Sequence, residues 1–193
     1  GTIHKFFGPT AVETTRAGAR RYVRELYSRF AATIVPSPAL AAVLRDWGVP
    51  NTRVGELGVD TGLFHPGAPP GERDEVRDAL GIGRDRLLLL YVGRLSSEKN
   101  VTTLFEAFER LDDPRYVLLV TGDGPERNRL ARLRQRQTDV HWLPYQTDGN
   151  QLARLYRAAD LFVHPGVQET FGLVPLESQA CGTPVIGIRG SYM

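Results

Sequence analysis

Residues 87–124 read LLLLYVGRLSSEKNVTTLFEAFERLDDPRYVLLVTGDG, and the fold is decided by this stretch. Residues 87–92 and 116–121 are apolar runs of strand length without polar alternation, the pattern of strands covered on both faces. Between them Val101, Leu104, Phe105 and Phe108 recur at helical spacing, which predicts a helix over residues 100–111. Strand, helix and strand in succession build a parallel sheet.

The alternation continues downstream: a helix over 125–137, a strand over 140–143, a helix over 150–159, a strand over 161–164, a helix over 173–181 and a strand over 184–188. The predicted fold class is α/β, a Rossmann-like parallel sheet with helices on both faces. Upstream, Tyr22, Val23, Leu26, Tyr27 and Phe30 mark one side of a helix from Ala19, with Arg16, Arg20, Arg21 and Arg24 on the other side. A strand over 32–36 follows. Ser37 and Pro38 then open a helix with Leu40, Val43, Leu44 and Trp47 on its apolar stripe, closed by Gly48, and a strand over 53–56 comes next. Residues 67–71, GAPPG, read as a domain change, which places the boundary near Pro66 and gives units 1–66 and 67–193.

Composition narrows the function. The formal charge of +2 and the lack of a basic block interleaved with aromatics argue against a nucleic-acid partner. Cys181 is the only cysteine, so no intramolecular disulfide can form, and no apolar run is of membrane length; a cytoplasmic setting is expected. The arginine face of the first helix also allows peripheral contact at the inner face of a membrane. Lys5 and Lys99 are the only lysines in a chain that otherwise uses arginine. Lys99 is thereby singled out, because an ammonium is a compact point charge that a planar guanidinium does not replace.

Ligands of open parallel sheets bind at the carboxyl ends of the strands, and the informative residues stand there. After the first long strand come Gly93, Arg94 and Lys99, two cations ahead of a helix start, with Asn100 expected to cap that helix; this suits a diphosphate. After the second come Gly122, Asp123, Gly124, Pro125 and Glu126, which alone read as a tight structural turn. After residues 140–143 stand Pro144, Tyr145 and Gln146; Tyr145 either stacks on a base or packs on the next helix. His164 closes the fourth strand, either as a packed imidazole or as a group near the site. Beyond it, Glu169 and Glu177 flank a loop that turns into a helix at Phe171, Gly172, Leu173 and Val174, whose N–H groups are unpaired helix-start donors.

The strings VGRLSSEKN, GDGPE and HPGVQETFGLVPLESQACGTPVIG resemble, in order and spacing, the donor site of glycosyltransferase family 4, retaining enzymes of the GT-B fold. The likeness runs from about Ala32 to Gly187, and VPSPALAAVLRDWGV with GVDTGLFHP is similar to the end of that family's acceptor domain. The resemblance implies a remnant of the acceptor-side domain followed by most of a nucleotide-sugar-binding domain. It implies that Arg94 and Lys99 neutralise the donor diphosphate, that Glu169 holds donor-sugar hydroxyls and that Glu177 holds the ribose diol. Gly93, Tyr145, Phe171, Gly172, Leu173 and Val174 complete the implied donor site, and Glu169, Arg94 and Lys99 are its catalytic candidates.

The implied reaction is hexosyl transfer from a UDP or GDP sugar to a carbohydrate, lipid or small-molecule acceptor, with retention and without metal or other cofactor. Most of one Rossmann-like half and the family's last elements are missing, and the opening residues read as mid-protein sequence. The chain is therefore expected to be a fragment that does not itself transfer sugar and that self-associates through exposed apolar surface. The competing readings are a non-catalytic nucleotide-sugar-binding module and an enzyme related to sucrose or glycogen synthase. A nicotinamide-dependent dehydrogenase is disfavoured, because Gly93 stands alone and GDGPE lacks the third glycine of the dinucleotide fingerprint.

Overall fold

A computed structural model describes residues 9–55, 57–167 and 172–189. The chain divides into two compact units, Gly1–Leu57 and Gly58–Met193.

The first unit contains α1 (Pro9–Tyr27), β1 (Thr33–Val35), α2 (Pro38–Asp46) and β2 (Thr52–Val54), with β1 and β2 paired in parallel from Thr33↔Thr52 to Val35↔Val54. Ser37 caps α2 as its sequence predicts: its Oγ accepts the N–H of Leu40 at 3.2 Å, and Pro38 fills the first helical position. Helix α1 begins ahead of the predicted Ala19 because residues 9–18 carry no repeat of large apolar side chains, so periodicity has nothing to register. Its arginine row is solvent-exposed, with the Arg20 guanidinium 5.5 Å from the centre of the Trp47 ring. Among the described residues no helix is long and apolar enough to cross a membrane.

The second unit is a five-stranded parallel sheet in the order β5-β4-β3-β6-β7, built from β3 (Leu87–Val92), β4 (Tyr116–Thr121), β5 (Val140–Leu143), β6 (Leu161–His164) and β7 (Val185–Gly187). The first four of these strands have the predicted bounds. Helices α4 (Val101–Leu111) and α5 (Arg127–Arg136) cover one face, where Phe105, Phe108, Leu130 and Leu133 pack on Leu118 and Val120. Helices α3 (Glu72–Ala79), α6 (Gly149–Ala158) and α7 (Leu173–Ala180) cover the other, where Val76, Leu155 and Tyr156 pack around Leu88, Leu90, Leu119 and Phe162. The apolar strand runs are thus explained: both faces of each central strand are in a core.

The division between the units falls between residues 57 and 58, ahead of the predicted boundary near Pro66. Phe64 is buried in the core of the second unit and Val59 and Leu63 pack against it, so the segment before GAPPG is held by that core.

Helix α3 has no counterpart in the pattern reading, and the reason is chemical. A core-facing position of this short, charged helix is filled by Arg77, which is 2% exposed. Its guanidinium donates to Asp160 at 3.1 Å and to the carbonyls of Ala158, Gly83 and Arg86. Asp160 also accepts the Leu88 N–H at 2.7 Å and pairs with Arg73 at 2.6 Å. Burial pushes the Asp160 carboxyl up, but the Leu88 N–H and the two guanidiniums outweigh it and hold the group below its usual range. On the same side Arg157 binds Glu72 at 2.7 and 2.9 Å, and this hydrogen-bonded pairing lowers the Glu72 carboxyl. These pairs fasten α3 to α6 and to the amino ends of β3 and β6.

Candidate functional site

The strand order sets the place of the site. From β3 the chain crosses to β4 through α4 on one face, whereas from β6 it crosses to β7 through α7 on the other. The two loops part in opposite directions and leave a crevice at the carboxyl ends of β3 and β6, the topological switch point where ligands of such sheets bind. The crevice is lined by Tyr91, Val92 and Gly93 from β3 and its loop, by Lys99, by His164 and Gly166 at the end of β6, and by Val174 in the first turn of α7. Its closed part holds about 50 Å³, so these residues form a floor rather than an enclosing pocket. Two roomier hollows lie elsewhere: one at the amino ends of β4 and β5 beside Phe108, Asp112 and Arg136, and one between α1 and α2. No strand ends its carboxyl edge in either, so position and chemistry outweigh volume here.

The loop that carries the cations is held from behind. After β3 the Tyr91 hydroxyl donates to the Arg94 carbonyl at 2.9 Å. The β4 loop lies against it: the Leu95 N–H donates to the Asp123 carbonyl and the Glu126 N–H to the Leu95 carbonyl, both at 2.9 Å. This contact explains the glycines of GDGPE. A Cβ on Gly122 would stand 2.0 Å from the Gly93 oxygen and one on Gly124 would stand 2.4 Å from the Leu95 oxygen, with φ of +138° and +156° respectively. The turn is structural, as its residues suggest, and what it supports is the Arg94–Lys99 segment.

Residues 97–99 then form a single 3-10 turn, after which Asn100 adopts a left-handed conformation (φ 55°) ahead of α4. Its side chain does not cap the helix as the sequence led us to expect. The Nδ2 group instead donates to the Pro165 carbonyl at 3.0 Å, and Oδ1 accepts the Thr103 hydroxyl at 2.8 Å. Asn100 therefore clamps the β3 loop to the β6 loop across the switch point. The Lys99 side chain is half-buried in the crevice wall; that of Arg94 belongs to the same loop but is exposed and does not line the floor.

On the far wall Gly172 precedes α7 in the left-handed conformation (φ 85°) and brings no side chain to cap it; N–H groups at a helix start are donors suited to an anion. Leu173 is exposed and Val174 is half-buried in the crevice. Glu169 and Phe171 lie outside the described residues. Glu177 stands one turn into α7, half-buried, and its Oε2 accepts the Tyr156 hydroxyl at 2.9 Å. Burial raises the Glu177 carboxyl, the phenol's hydrogen bond working the other way; burial and that carboxylate push the Tyr156 phenol far up.

His164 is packed, its ring stacked on Phe162 at 6.4 Å, and it also lines the crevice, so the two readings of this residue meet. Tyr145 is 71% exposed at the end of β5, which removes the reading that it packs on the next helix. Tyr156 and Asn100 are the contributors that pattern reading missed as such. One signal was available for the first: a hydroxyl-bearing aromatic on the buried stripe of α6, which must find a partner when fully covered.

Residues 72–193 match the family model of glycosyl transferases group 1. The chain belongs to this family. Among its relatives, a D-inositol 3-phosphate glycosyltransferase of Actinosynnema mirum is 43% identical over 144 residues, covering 67% of this chain and 33% of that protein. A GDP-mannose-dependent alpha-mannosyltransferase of Corynebacterium glutamicum is 34% identical over 168 residues, covering 87% of this chain and 38% of the relative. Of the solved structures, sucrose-phosphate synthase from Thermosynechococcus elongatus superposes with a TM-score of 0.72 at 31% identity, over 96% of this chain and 47% of that one. The Anabaena protein HepE, solved in complex with UDP-glucose, shares the fold with a TM-score of 0.78 at 24% identity, over 91% of this chain and 50% of its own. The chain spans about a third of the length of these curated relatives and about half of these solved chains. The α/β architecture of this group 1 glycosyltransferase chain is that of the GT-B enzymes.

Proposed function

We propose that the switch-point crevice binds the diphosphate of a nucleoside-diphosphate hexose, for transfer of the sugar to an acceptor with retention of configuration. The observation that carries this reading is the convergence of Lys99, Gly93 and the first turn of α7 on one floor. An ammonium and helix-start N–H groups are donors suited to the charge that develops on the leaving phosphate, and Arg94 is near enough in sequence to join them once a ligand is present. Such fixed cations can stabilise the leaving group without a metal, so the reaction is proposed to need none. The departing phosphate itself takes the acceptor's proton, and no side chain is assigned as general base.

Glu177 is assigned to the ribose diol, its two oxygens accepting from vicinal hydroxyls. Glu169 is assigned to the sugar hydroxyls, and exposed Tyr145 to the base. The named activities of the relatives, on GDP-mannose and on an inositol phosphate, put hexosyl donors and hydroxyl acceptors first among candidates.

The test is thermal unfolding of the 193-residue chain with UDP, GDP, ADP, NAD or buffer alone. A diphosphate at a hundred times its dissociation constant adds about 2.7 kcal/mol of stability. A shift with NAD and none with any diphosphate would overturn the proposal.

A further inference from the structure

We propose that Tyr156 is a positioning residue for the nucleotide's ribose, acting through Glu177. The inference rests on the assignment of Glu177 to the diol and adds the reason its carboxylate is in place before a ligand arrives.

Two connections run from α6 to α7, one to the Glu177 carboxylate and one to Ser178, the residue after it. At the carboxylate, Oε2 accepts the Tyr156 hydroxyl at 2.9 Å. Through the α6 backbone, the Thr183 hydroxyl donates to the Tyr156 carbonyl at 2.6 Å while the Ser178 hydroxyl donates to the Thr183 carbonyl at 3.1 Å. Tyr156, Ser178 and Thr183 are all buried, so neither connection is exchanged for water at low cost. The Tyr156 ring has no freedom of its own, since Phe64 and Phe162 hold it edge-on from centroid distances of 6.0 and 5.8 Å. The phenol is thus a fixed donor, and a flexible glutamate that accepts from it loses most of its rotamer choice before binding.

The hydrogen-bond inventory leaves room for the proposed ligand. A carboxylate offers about four lone-pair positions, and the phenol takes one on Oε2, so Oε1 and the rest of Oε2 remain for two hydroxyls. A phenol in this place also explains why a half-buried carboxylate on α7 is tolerated: removing the hydroxyl would leave that acceptor without its donor from α6.

The experiment is a double-mutant cycle on the full chain, read by calorimetric titration with UDP and GDP and with their 2′,3′-dideoxy analogues. In the unsubstituted chain the ribonucleotide that binds is expected to bind roughly tenfold or more tightly than its dideoxy form, the worth of a hydrogen bond to a charged group. Tyr156→Phe keeps the ring and its packing; it is expected to leave dideoxy affinity unchanged and to shrink the ribose preference about threefold or more. In a Glu177→Ala background, which removes the carboxylate, Tyr156→Phe is expected to change neither affinity further. A full ribose preference surviving in Tyr156→Phe overturns the proposal, as does an equal loss for both forms, which would make Tyr156 merely structural. Equal binding of ribose and dideoxy forms by the unsubstituted chain would instead remove the Glu177 assignment beneath it. Should Tyr156→Phe fail to fold, Thr183→Val cuts the backbone connection alone and is expected to weaken the same preference; an unchanged preference there counts against the proposal.

Discussion

Gly122→Ala tests whether the second glycine loop is a buttress for the phosphate loop. The new Cβ would stand 2.0 Å from the Gly93 oxygen and 3.0 Å from its carbon. Both contacts are to backbone, so no side chain can rotate away. Bringing the closest approach to the 3.0 Å that real Cβ atoms keep requires the two loops to part by about 1 Å. The φ of +138° adds a backbone cost of roughly 1–3 kcal/mol for any residue but glycine, and overpacking adds about 1–3 kcal/mol more. For a domain of this size the sum lowers Tm by on the order of 6–18 °C. The displaced segment carries Lys99, so nucleoside diphosphate affinity should fall as well, by more than stability alone dictates at a temperature where the variant is folded. Circular-dichroism melts and calorimetric titration measure the two effects. Gly58→Ala, with nothing within 4 Å of the added carbon, is the control and should melt within about 2 °C of the parent. A Gly122→Ala variant that melts and binds like the parent would refute the reasoning.

Three other outcomes follow from the same contacts. Glu177→Gln keeps an oxygen for the Tyr156 hydroxyl but removes a half-buried charge, so Tm at neutral pH should rise while diphosphate affinity falls roughly tenfold; a lower Tm would contradict the account of that site. Arg77→Met leaves three carbonyls and an Asp160 oxygen without their buried donor and should cost about 3–5 kcal/mol in a urea titration, with a loss under about 1 kcal/mol counting against a structural role for the network. Glu72 and Asp160 stay charged to lower pH in the folded chain than in the unfolded one. Their contribution is therefore complete above about pH 4.3 and disappears as the pH falls through their depressed values, so melts should show Tm falling steeply on acidification below about pH 4, and less steeply in Arg77→Met.

Much of the architecture was legible because burial on both faces writes itself into composition. Four strands of the second unit, Leu87–Val92, Tyr116–Thr121, Val140–Leu143 and Leu161–His164, could be bounded to the residue from apolar runs alone. Helix α3 was not legible because its core-facing side chain is an arginine, whose partners are a carboxylate and carbonyls from residues distant in sequence; periodicity registers apolarity, not satisfied charge. Asn100 shows the same limit at the site. A short polar residue before a helix is the usual cap, but here the backbone enters the left-handed region and the side chain is free to reach Pro165, a contact fixed by tertiary structure alone. Lys99 was singled out for a different reason, as a lysine amid arginines, and the structure places it in the crevice wall. Glu177 could be placed on α7 by spacing, yet the hydroxyl that holds it comes from neighbouring α6, where a tyrosine on the buried stripe showed the need for a partner but not which one.

Every proposed role at the site depends on a pyrophosphate lying between Lys99 and the start of α7 at the β3–β6 switch point. A crystal structure of the chain with the nucleoside diphosphate that stabilises it most is the direct measurement. Phosphate oxygens are predicted within hydrogen-bond reach of the Lys99 Nζ and the first-turn N–H groups of α7, with the ribose hydroxyls against Glu177. A nucleotide seated instead at the amino ends of β4 and β5, beside Phe108 and Arg136, would contradict it.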